Sequence, residues 1–329
     1  MKELTNSARK EFQKCPRSYK FRYVDGIRPV ESKTALSFGT AMHSLLEVYW
    51  KGLSENETDI PTEDAVRTAR DAAMDFTDDP FLRETLSALF DGYVNRWGEY
   101  DCNTYATIAV EKRFNAPLMN PETGALSKTW ELAGKIDAVA VNKDSGTVTI
   151  IEHKTTGSDI APGSDYWKRL PIDGQVSGYY VGAQSIGYAA EDCVYDVIRK
   201  PTIKPLKATP VENRKYKKDG SLYATCREFD ETPEEWGRRL RADIAERPDY
   251  YFQRESVARP ENDLAEYLED VWMVGKQIMD SERLNRWPRN PCSCSGFGNC
   301  DYFDVCAGFD SLDSVRFEKV DDVNAELNN

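Results

Sequence analysis

The stretch TWELAGKIDAVAVNKDSGTVTIIEHKT (129–155) decides the fold of this chain. Its two halves, 129–141 and 147–155, are rich in Val, Ile and Thr, which is typical of β-strands. The polar residues 143–146 between them, ending in glycine, are typical of a hairpin connection. The stretch therefore predicts an antiparallel hairpin.

A loop at 143–146 sets the register of this hairpin. Because side chains alternate between the two faces of a strand, every second residue lies on the same face. Lys154 lies on the face of Glu152, two residues further along the strand. The cross-strand pairs predicted on this face are Val141 with Val148, Val139 with Ile150, and Asp137 with Glu152.

The predicted pair of Asp137 and Glu152 indicates a functional site. Opposed residues of a hairpin lie about 5 Å apart at Cβ, and two carboxylates that close repel each other unless they share a cation or a proton. An exposed edge with charges facing water is the alternative interpretation. The same face carries apolar residues, however, and buried charges need a partner or a function. A divalent-metal site is therefore predicted, with Lys154 beside the metal-bound substrate.

The segments around the hairpin supply helices and further strands. Helical periodicity over 37–50 and 81–97 precedes a strand at 105–114, and helical periodicity over 175–188 precedes a strand at 193–200. The resulting order is helix, three strands, helix, strand. Two further helices, near 233–247 and 261–285, flank the strand-like YYFQRESVA.

Asp137, followed by Glu152-His153-Lys154 on the next strand, resembles the PD-(D/E)XK nuclease superfamily, and specifically its RecB-type exonuclease branch. The segment FGTAMHSLLE resembles the early helix of that branch and makes His43 a metal ligand. Gln175 and Tyr179 resemble its Gln-x-x-x-Tyr pair. The proline of the superfamily name is absent, and GKID stands in its place. Glu111 is expected to form a salt bridge rather than to orient the site.

The resemblance implies an α/β (α+β) fold with an αβββαβ core, a mixed sheet flanked by helices. It implies that His43, Asp137, Glu152 and the main-chain carbonyl of His153 hold Mg²⁺ or Mn²⁺. Lys154 would position or deprotonate the attacking water, and Gln175 and Tyr179 would bind the phosphate or the neighbouring nucleotide. The product would carry a 5′-phosphate.

Four of the eight cysteines lie close together near the end of the chain, which favours metal binding over disulfide bonds. Their spacing, C-x-C-x5-C-x5-C, does not distinguish zinc from an iron–sulfur cluster. The iron–sulfur members of the branch, including AddB-type and CRISPR-associated exonucleases, have one cysteine before the nuclease core and three after it. The resemblance therefore implies a [4Fe–4S] cluster on Cys15, Cys300, Cys306 and either Cys292 or Cys294, with Cys292 preferred and zinc second.

The charge distribution bears on the substrate. The chain has 329 residues and a net charge of −13, which excludes a uniformly basic nucleic-acid coat but not a local basic track. The segment 201–220 is a basic, proline-punctuated loop that is either such a track or merely solvated. The candidate DNA-contacting residues are Lys200, Lys204, Lys207, Arg214, Lys215, Lys217 and Lys218.

The expected organisation is one nuclease domain over 1–310, followed by an acidic, frayed tail over 311–329. Within the domain we expect a helical insertion (37–100), the catalytic core (105–200), the basic loop (201–220), and C-terminal helices with the cysteine cluster (232–310). No phosphate loop of the G-x-x-x-x-G-K-[ST] type occurs, so unwinding would require a helicase or recombination partner. The chain lacks a signal peptide and a membrane-spanning apolar run, which predicts a cytoplasmic protein of a bacterial host or an archaeal cell.

The predicted activity is that of a standalone exonuclease acting on DNA ends, single-stranded or partly so, in recombination, repair or phage DNA processing. A non-catalytic DNA-binding or assembly subunit with the same fold is one alternative. A site- or structure-specific endonuclease is another. The sequence leaves polarity and oligomeric state open.

Overall fold

A computed structural model describes residues 1–30, 37–55, 67–68, 71, 77–295 and 300–328. The helices are α1 (Asn6–Lys14), α2 (Pro16–Tyr19), α3 (Ser37–Glu55), α4 (Pro80–Thr104), α5 (Asp165–Lys168), α6 (Gly174–Ser185), α7 (Pro233–Glu246), α8 (Pro248–Tyr251), α9 (Glu261–Leu284) and α10 (Phe303–Ala307). The strands are β1 (Lys2–Thr5), β2 (Ile27–Pro29), β3 (Tyr105–Met119), β4 (Leu126–Asn142), β5 (Val148–Thr156), β6 (Asp192–Arg199), β7 (Phe252–Ser256) and β8 (Phe317–Lys319).

A six-stranded mixed sheet forms the centre of the fold. Strands β1, β4, β5, β6 and β7 follow one another in that order, and β3 pairs with the other edge of β4. The β4–β5 and β6–β7 pairs are antiparallel, whereas β1–β4 and β5–β6 are parallel. The predicted αβββαβ order and the mixed sheet flanked by helices are confirmed.

The register of the β4–β5 hairpin agrees with its prediction over the apolar pairs. Val141 lies opposite Val148 and Val139 opposite Ile150, and the ladder ends at Ala138–Ile151. The third predicted pair, Asp137 with Glu152, is not part of this ladder. At that position the side chain of Asp137, rather than its main chain, is hydrogen-bonded to β5, as described below.

The two faces of the sheet carry two separate cores. Val139 and Ile150 belong to a cluster that includes Ala8 of α1, Val176 of α6 and Val271 of α9. The opposite face, including Ala138 and Ile151, packs against α3, α4 and α7. Each face of a central sheet buries its apolar side chains against a helical layer, which is the usual three-layer solution.

Several helix boundaries follow from local chemistry. Helix α4 begins after Asp79, whose side chain accepts bonds from the main-chain N–H groups of Phe81 and Leu82. Helix α7 begins with a capping box between Thr232 and Glu235. Part of the predicted helical insertion, 56–76 except 67, 68 and 71, lies outside the described residues. No described helix is long and apolar enough to cross a membrane.

The segment predicted to be a frayed acidic tail is ordered over residues 317–328. Strand β8 pairs antiparallel with β2, and the N–H of Val320 donates to the carbonyl of Gly26 at 2.7 Å. Leu327 is only 5% exposed. The expectation of fraying was wrong because acidic composition does not reveal that Phe317 and Leu327 are buried.

Candidate active site

Asp137 lies on β4 in a gap between two strands, β1 and β5, that pair with the same edge of β4. Strand β1 pairs with β4 as far as Ala133, and β5 pairs with it from Ala138 onward. Both lie on the edge opposite β3, so residues 134–137 have no strand partner on that side. Oδ2 of Asp137 fills part of this gap by accepting the main-chain N–H of His153 at 2.8 Å. The Asp137 carboxylate is thereby fixed between two strands.

Glu152 and Lys154 form a buried ion pair next to this gap. Glu152 is 0% exposed, and its Oε1 contacts Nζ of Lys154. Burial raises the pKa of Glu152 to about 8, with the Asp137 charge as the second cause, although Lys154 opposes the shift. Burial alone would lower the pKa of Lys154, but Glu152 and Asp137 outweigh it and raise that pKa. Lys154 is therefore a cation in this arrangement.

His43 of α3 approaches the same carboxylate from the other side of the sheet. Its Nδ1 lies 3.7 Å from Oδ2 of Asp137. Burial lowers the pKa of His43 to about 4, although Asp137 opposes this shift. Burial would raise the pKa of Asp137, but its interactions with His43 and with the Lys154 cation hold it below its usual value. A neutral imidazole beside an ionised carboxylate is the protonation state that a metal ion requires.

Gln175 and Tyr179 lie on one face of α6, one turn apart. Nε2 of Gln175 donates to the hydroxyl of Tyr179 at 2.6 Å. Burial, together with the Glu152 and Asp137 charges, raises the pKa of Tyr179 well above its ordinary value, so the hydroxyl keeps its proton. This helix therefore presents a positioned O–H group beside the carboxylates.

One cavity of about 560 Å³ brings together most of the residues predicted to be catalytic or metal-ligating. Its lining includes His43, Asp137, Lys154, Gln175 and Tyr179. Glu152 lies buried behind Lys154 and reaches the site through that contact. The residues come from α3, β4, β5 and α6, so distant parts of the sequence converge on a single concave surface.

Glu111 of β3 forms the salt bridge that the sequence predicts. Its Oε2 contacts Nζ of Lys135, and both residues line the same cavity. Glu111 has a φ of 50°, a left-handed conformation that is uncommon for a residue other than glycine. Strained backbone of this kind clusters at functional sites. Burial raises the pKa of Glu111, with Lys135 opposing it and Asp137 adding to it.

A buried network behind His153 was missed by sequence reasoning. Nδ1 of His153 lies 3.2 Å from Oδ2 of Asp196, which also contacts Nη2 of Arg254 at 3.1 Å. Arg254 further contacts Asp101, and Tyr93 donates to Asp196 at 2.5 Å. Asp196 and Arg254 are direct cross-strand partners on β6 and β7. The sequence feature that could have indicated this network is the presence of opposite charges, Asp196 and Arg254, in two otherwise apolar strand segments.

The chemistry of the site fits a divalent cation. Oε2 of Glu152 is buried without a hydrogen-bond partner in the part of the chain that the structure describes. A buried carboxylate oxygen without a partner is costly, and a hard cation with oxygen and imidazole ligands would supply one. No group of three or more His, Cys, Asp or Glu side chains among the described residues is arranged to hold a metal ion. In this arrangement Glu152 contacts Lys154 instead.

The two cysteine-bearing segments are joined by hydrogen bonds. The carbonyl of Lys14, next to Cys15, accepts from Nδ2 of Asn290 at 2.9 Å and from Oγ of Ser293 at 2.8 Å. Nε of Arg17 donates to the carbonyl of Trp287 at 3.0 Å. The start of the chain is therefore fixed against the segment that precedes the last cysteines.

The cysteines differ in their surroundings. Cys15 is buried, Cys294, Cys300 and Cys306 are half-buried, and Cys292 is exposed. Burial raises the pKa of the Cys306 thiol, and the nearby Cys15 and Cys294 thiols push it the same way. The N–H of Cys300 donates to the carbonyl of Cys294 at 2.9 Å. Within the described residues the predicted four-cysteine cluster is not formed as a metal-binding group.

The basic segment forms an exposed loop with a short bridge between Tyr216 and Leu222. Lys207 pairs with Asp230 at 2.9 Å, and Arg214 is half-buried and bonds to the carbonyls of Thr209 and Glu228. Lys200 lies over the ring of Phe38. Lys204, Lys215, Lys217 and Lys218 are exposed. All seven basic residues are described, and none of them is part of the cavity lining.

Comparison with known proteins agrees with this geometry. Residues 3–307 match the family model of the PD-(D/E)XK nuclease superfamily. No curated protein matches the chain. A solved structure titled "Crystal structure of SSO0001" covers 71% of this chain and 74% of its own, with 12% identity and a TM-score of 0.27, a similarity too low to carry an argument. The family match extends over nearly the whole chain, and it establishes that the chain belongs to the PD-(D/E)XK nuclease superfamily.

Proposed function

We propose that this protein is a metal-dependent deoxyribonuclease that acts as an exonuclease at DNA ends, on strands that are single or partly so. The observation that carries the proposal is the convergence of Asp137, Lys154 and His43 on one cavity, with Glu152 paired to Lys154 behind it. The superfamily match supports phosphodiester hydrolysis as the reaction class.

In the mechanism we favour, His43, Asp137, Glu152 and the carbonyl of His153 would hold Mg²⁺ or Mn²⁺. When bound, the ion activates water and neutralises charge on the scissile phosphate. Lys154 keeps its proton next to Glu152 and Asp137, so it acts by charge on the developing phosphorane rather than as a base. The Tyr179 hydroxyl, oriented by Gln175, donates to a phosphate oxygen. The product carries a 5′-phosphate.

We also propose an iron–sulfur cluster that joins the two ends of the nuclease domain, with Cys15, Cys294, Cys300 and Cys306 as ligands. Cys294 replaces Cys292 in this proposal because Cys292 is exposed, whereas Cys294 is half-buried, its thiol acts electrostatically on Cys306, and its main-chain carbonyl accepts the N–H of Cys300. The hydrogen bonds from Asn290 and Ser293 to Lys14 support a shared site. Zinc is the alternative metal, and metal analysis with visible absorption separates the two.

The biological setting that suits this activity is recombination, repair or phage DNA processing, with a helicase or a recombination protein as the partner class. The exposed lysines of the loop over 201–220 are the proposed outer contacts to DNA. They do not line the cavity, so they would hold the strand outside the reaction centre.

The test is digestion of end-labelled linear single- and double-stranded DNA beside closed circles, with anaerobically purified protein and Mn²⁺ or Mg²⁺. Wild type should degrade linear DNA, and Lys154→Ala should not. Lys168→Ala, an exposed lysine paired with Asp165, is the matched control and should behave as wild type. If wild type and Lys154→Ala are equally inert but both shift DNA in a gel, the non-catalytic binding subunit replaces the nuclease. Cleavage of closed circles by wild type would indicate an endonuclease.

A further inference from the structure

The segment 317–328 is attached to the start of the nuclease domain and runs to the substrate cavity. Strand β8 pairs with β2, and Val320 bonds to Gly26. Nη2 of Arg28 donates to the carbonyl of Val323 at 2.7 Å. These bonds hold a stretch of the chain that is far from the catalytic residues in sequence.

The end of this segment is part of the cavity wall. Ala325, Glu326 and Leu327 line the same cavity as the candidate catalytic residues. Leu327 is 5% exposed, and Oε1 of Glu326 accepts from Oγ1 of Thr5 at 3.3 Å. Burial of Leu327 and the bond to Thr5 fix the carboxylate of Glu326 within the cavity.

The lining of this cavity also includes two arginines and a tyrosine, Arg22, Arg28 and Tyr23. Burial raises the pKa of Tyr23, the Glu326 charge adds to this, and Arg22 and Arg28 oppose it, so each of the three charged groups acts on Tyr23 electrostatically. Arginine and aromatic side chains together are the usual means of holding a single nucleic-acid strand. A carboxylate beside them has the opposite effect on a phosphate, because like charges repel.

We infer that Glu326 and Leu327 close one end of the substrate cavity, so that it accepts the terminus of a single strand and excludes a strand that continues past the site. Arg22 and Arg28 contact the phosphates of the terminal nucleotides, and Tyr23 contacts a base. Glu326 repels the phosphate that a continuing strand would place beside it. The inference rests on the proposed nuclease function and specifies how that site requires an end.

The alternative is that segment 317–328 is a purely structural strap. Both interpretations predict that Leu327 stabilises the fold, but only the end-closing role predicts that the charge of Glu326 affects which DNA is accepted. Glu122, in the turn between β3 and β4, is exposed and does not line the cavity. Replacing either glutamate by glutamine removes one negative charge from the protein, so Glu122→Gln is a matched control.

The experiment compares wild type, Glu326→Gln, Glu122→Gln and a variant that lacks residues 321–329. A fluorescein-labelled single-stranded oligonucleotide is bound in Ca²⁺ and displaced by unlabelled linear or ligated circular DNA of the same sequence. Wild type should prefer the linear competitor. Glu326→Gln should reduce this preference by about tenfold, which corresponds to the loss of one close like-charge contact. Glu122→Gln should leave it unchanged.

Digestion in Mn²⁺ then asks whether Glu326→Gln and the shortened chain cut single-stranded circles that wild type spares. Equal affinity of wild type for circles and linear strands would overturn the inference, as would an unchanged preference in Glu326→Gln. If the shortened chain unfolds, the result for Glu326→Gln alone decides between the end-closing role and the structural strap. The binding ratio does not depend on turnover, so a wild type that binds but cleaves no DNA would contradict the nuclease without contradicting the closed cavity.

Discussion

The main-chain N–H of His153 donates to Oδ2 of Asp137 at 2.8 Å, immediately beyond the point where the β4–β5 ladder ends at Ala138–Ile151. A carboxylate side chain thus replaces a strand-to-strand bond. The consequence is that Asp137, which lines the cavity, is held in place by the main chain of the neighbouring strand. Preorganisation of this kind is what a site for metal and phosphate requires.

Tyr179→Phe should lower kcat by about 10- to 100-fold, because the mutation removes an oriented hydroxyl from the cavity. Tyr180→Phe is the matched control, since the neighbouring Tyr180 is also buried but donates to the carbonyl of Val257 away from the cavity. Each substitution should cost about 1 kcal/mol of stability. Steady-state kinetics measures the loss of kcat and urea unfolding measures the loss of stability, so the two effects can be separated. Equal loss of kcat in both variants would show that Tyr179 acts through packing alone.

Metal affinity should depend on pH through Glu152. The pKa of this carboxyl is raised to about 8, so below pH 8 the metal-free protein holds a proton that a cation must displace. Affinity for Mn²⁺ should therefore fall as the pH is lowered from 8, by up to about tenfold per unit. Calorimetric titration in buffers of different ionisation enthalpy measures the released proton.

Glu152→Gln should weaken Mn²⁺ binding and abolish this pH dependence. Glu255→Gln, on β7 of the same sheet, should retain both the affinity and its slope. An unchanged slope in Glu152→Gln would mean that another group releases the proton.

Cys294→Ser should lose the iron and the visible absorption of anaerobically purified protein, whereas Cys292→Ser should keep both. The reason is that Cys294 is half-buried and within electrostatic range of Cys306, whereas Cys292 is exposed. Iron and zinc analysis with the absorption spectrum is the measurement. The reverse pattern would restore Cys292 as the ligand, and zinc in all variants would replace the cluster.

Arg254→Ala should destabilise the protein by about 3–5 kcal/mol, because it leaves the fully buried carboxylates of Asp101 and Asp196 without their cation. Arg283→Ala, which breaks an exposed pair with Asp280, should change stability by less than about 1 kcal/mol. Urea unfolding of the two variants provides the comparison. Similar costs would show that the buried network contributes little beyond a surface ion pair.

The hairpin was predictable from sequence because its information is local. The turn at 143–146 fixed the register, and the apolar pairs Val141–Val148 and Val139–Ile150 occur as predicted. The pair Asp137–Glu152 departs from the ladder because the Asp137 side chain bonds to the main chain of His153. A side chain that competes with the strand backbone is not visible in a periodic pattern.

The additional residues of the cavity could not be predicted for the same reason. Arg22, Arg28 and Glu326 lie in segments that have no strand or helix periodicity linking them to the site. Asp196 and Arg254 had a weak signal, opposite charges within apolar strands, but their pairing depends on the order of β6 and β7 in the sheet.

The sequence by itself determined the order of the core helices and strands and the register of the apolar hairpin pairs, because turn chemistry and side-chain alternation act over a few residues. The resemblance supplied His43, Asp137, Glu152 and Lys154 as candidate site residues. Only the tertiary structure decided that residues 325–327 line the cavity, that Ser293 bonds to Lys14, and that the basic loop stays outside the lining. The first two relationships join segments hundreds of residues apart, and they depend on burial of Leu327 and on the hydrogen bond from Oγ of Ser293 to the Lys14 carbonyl.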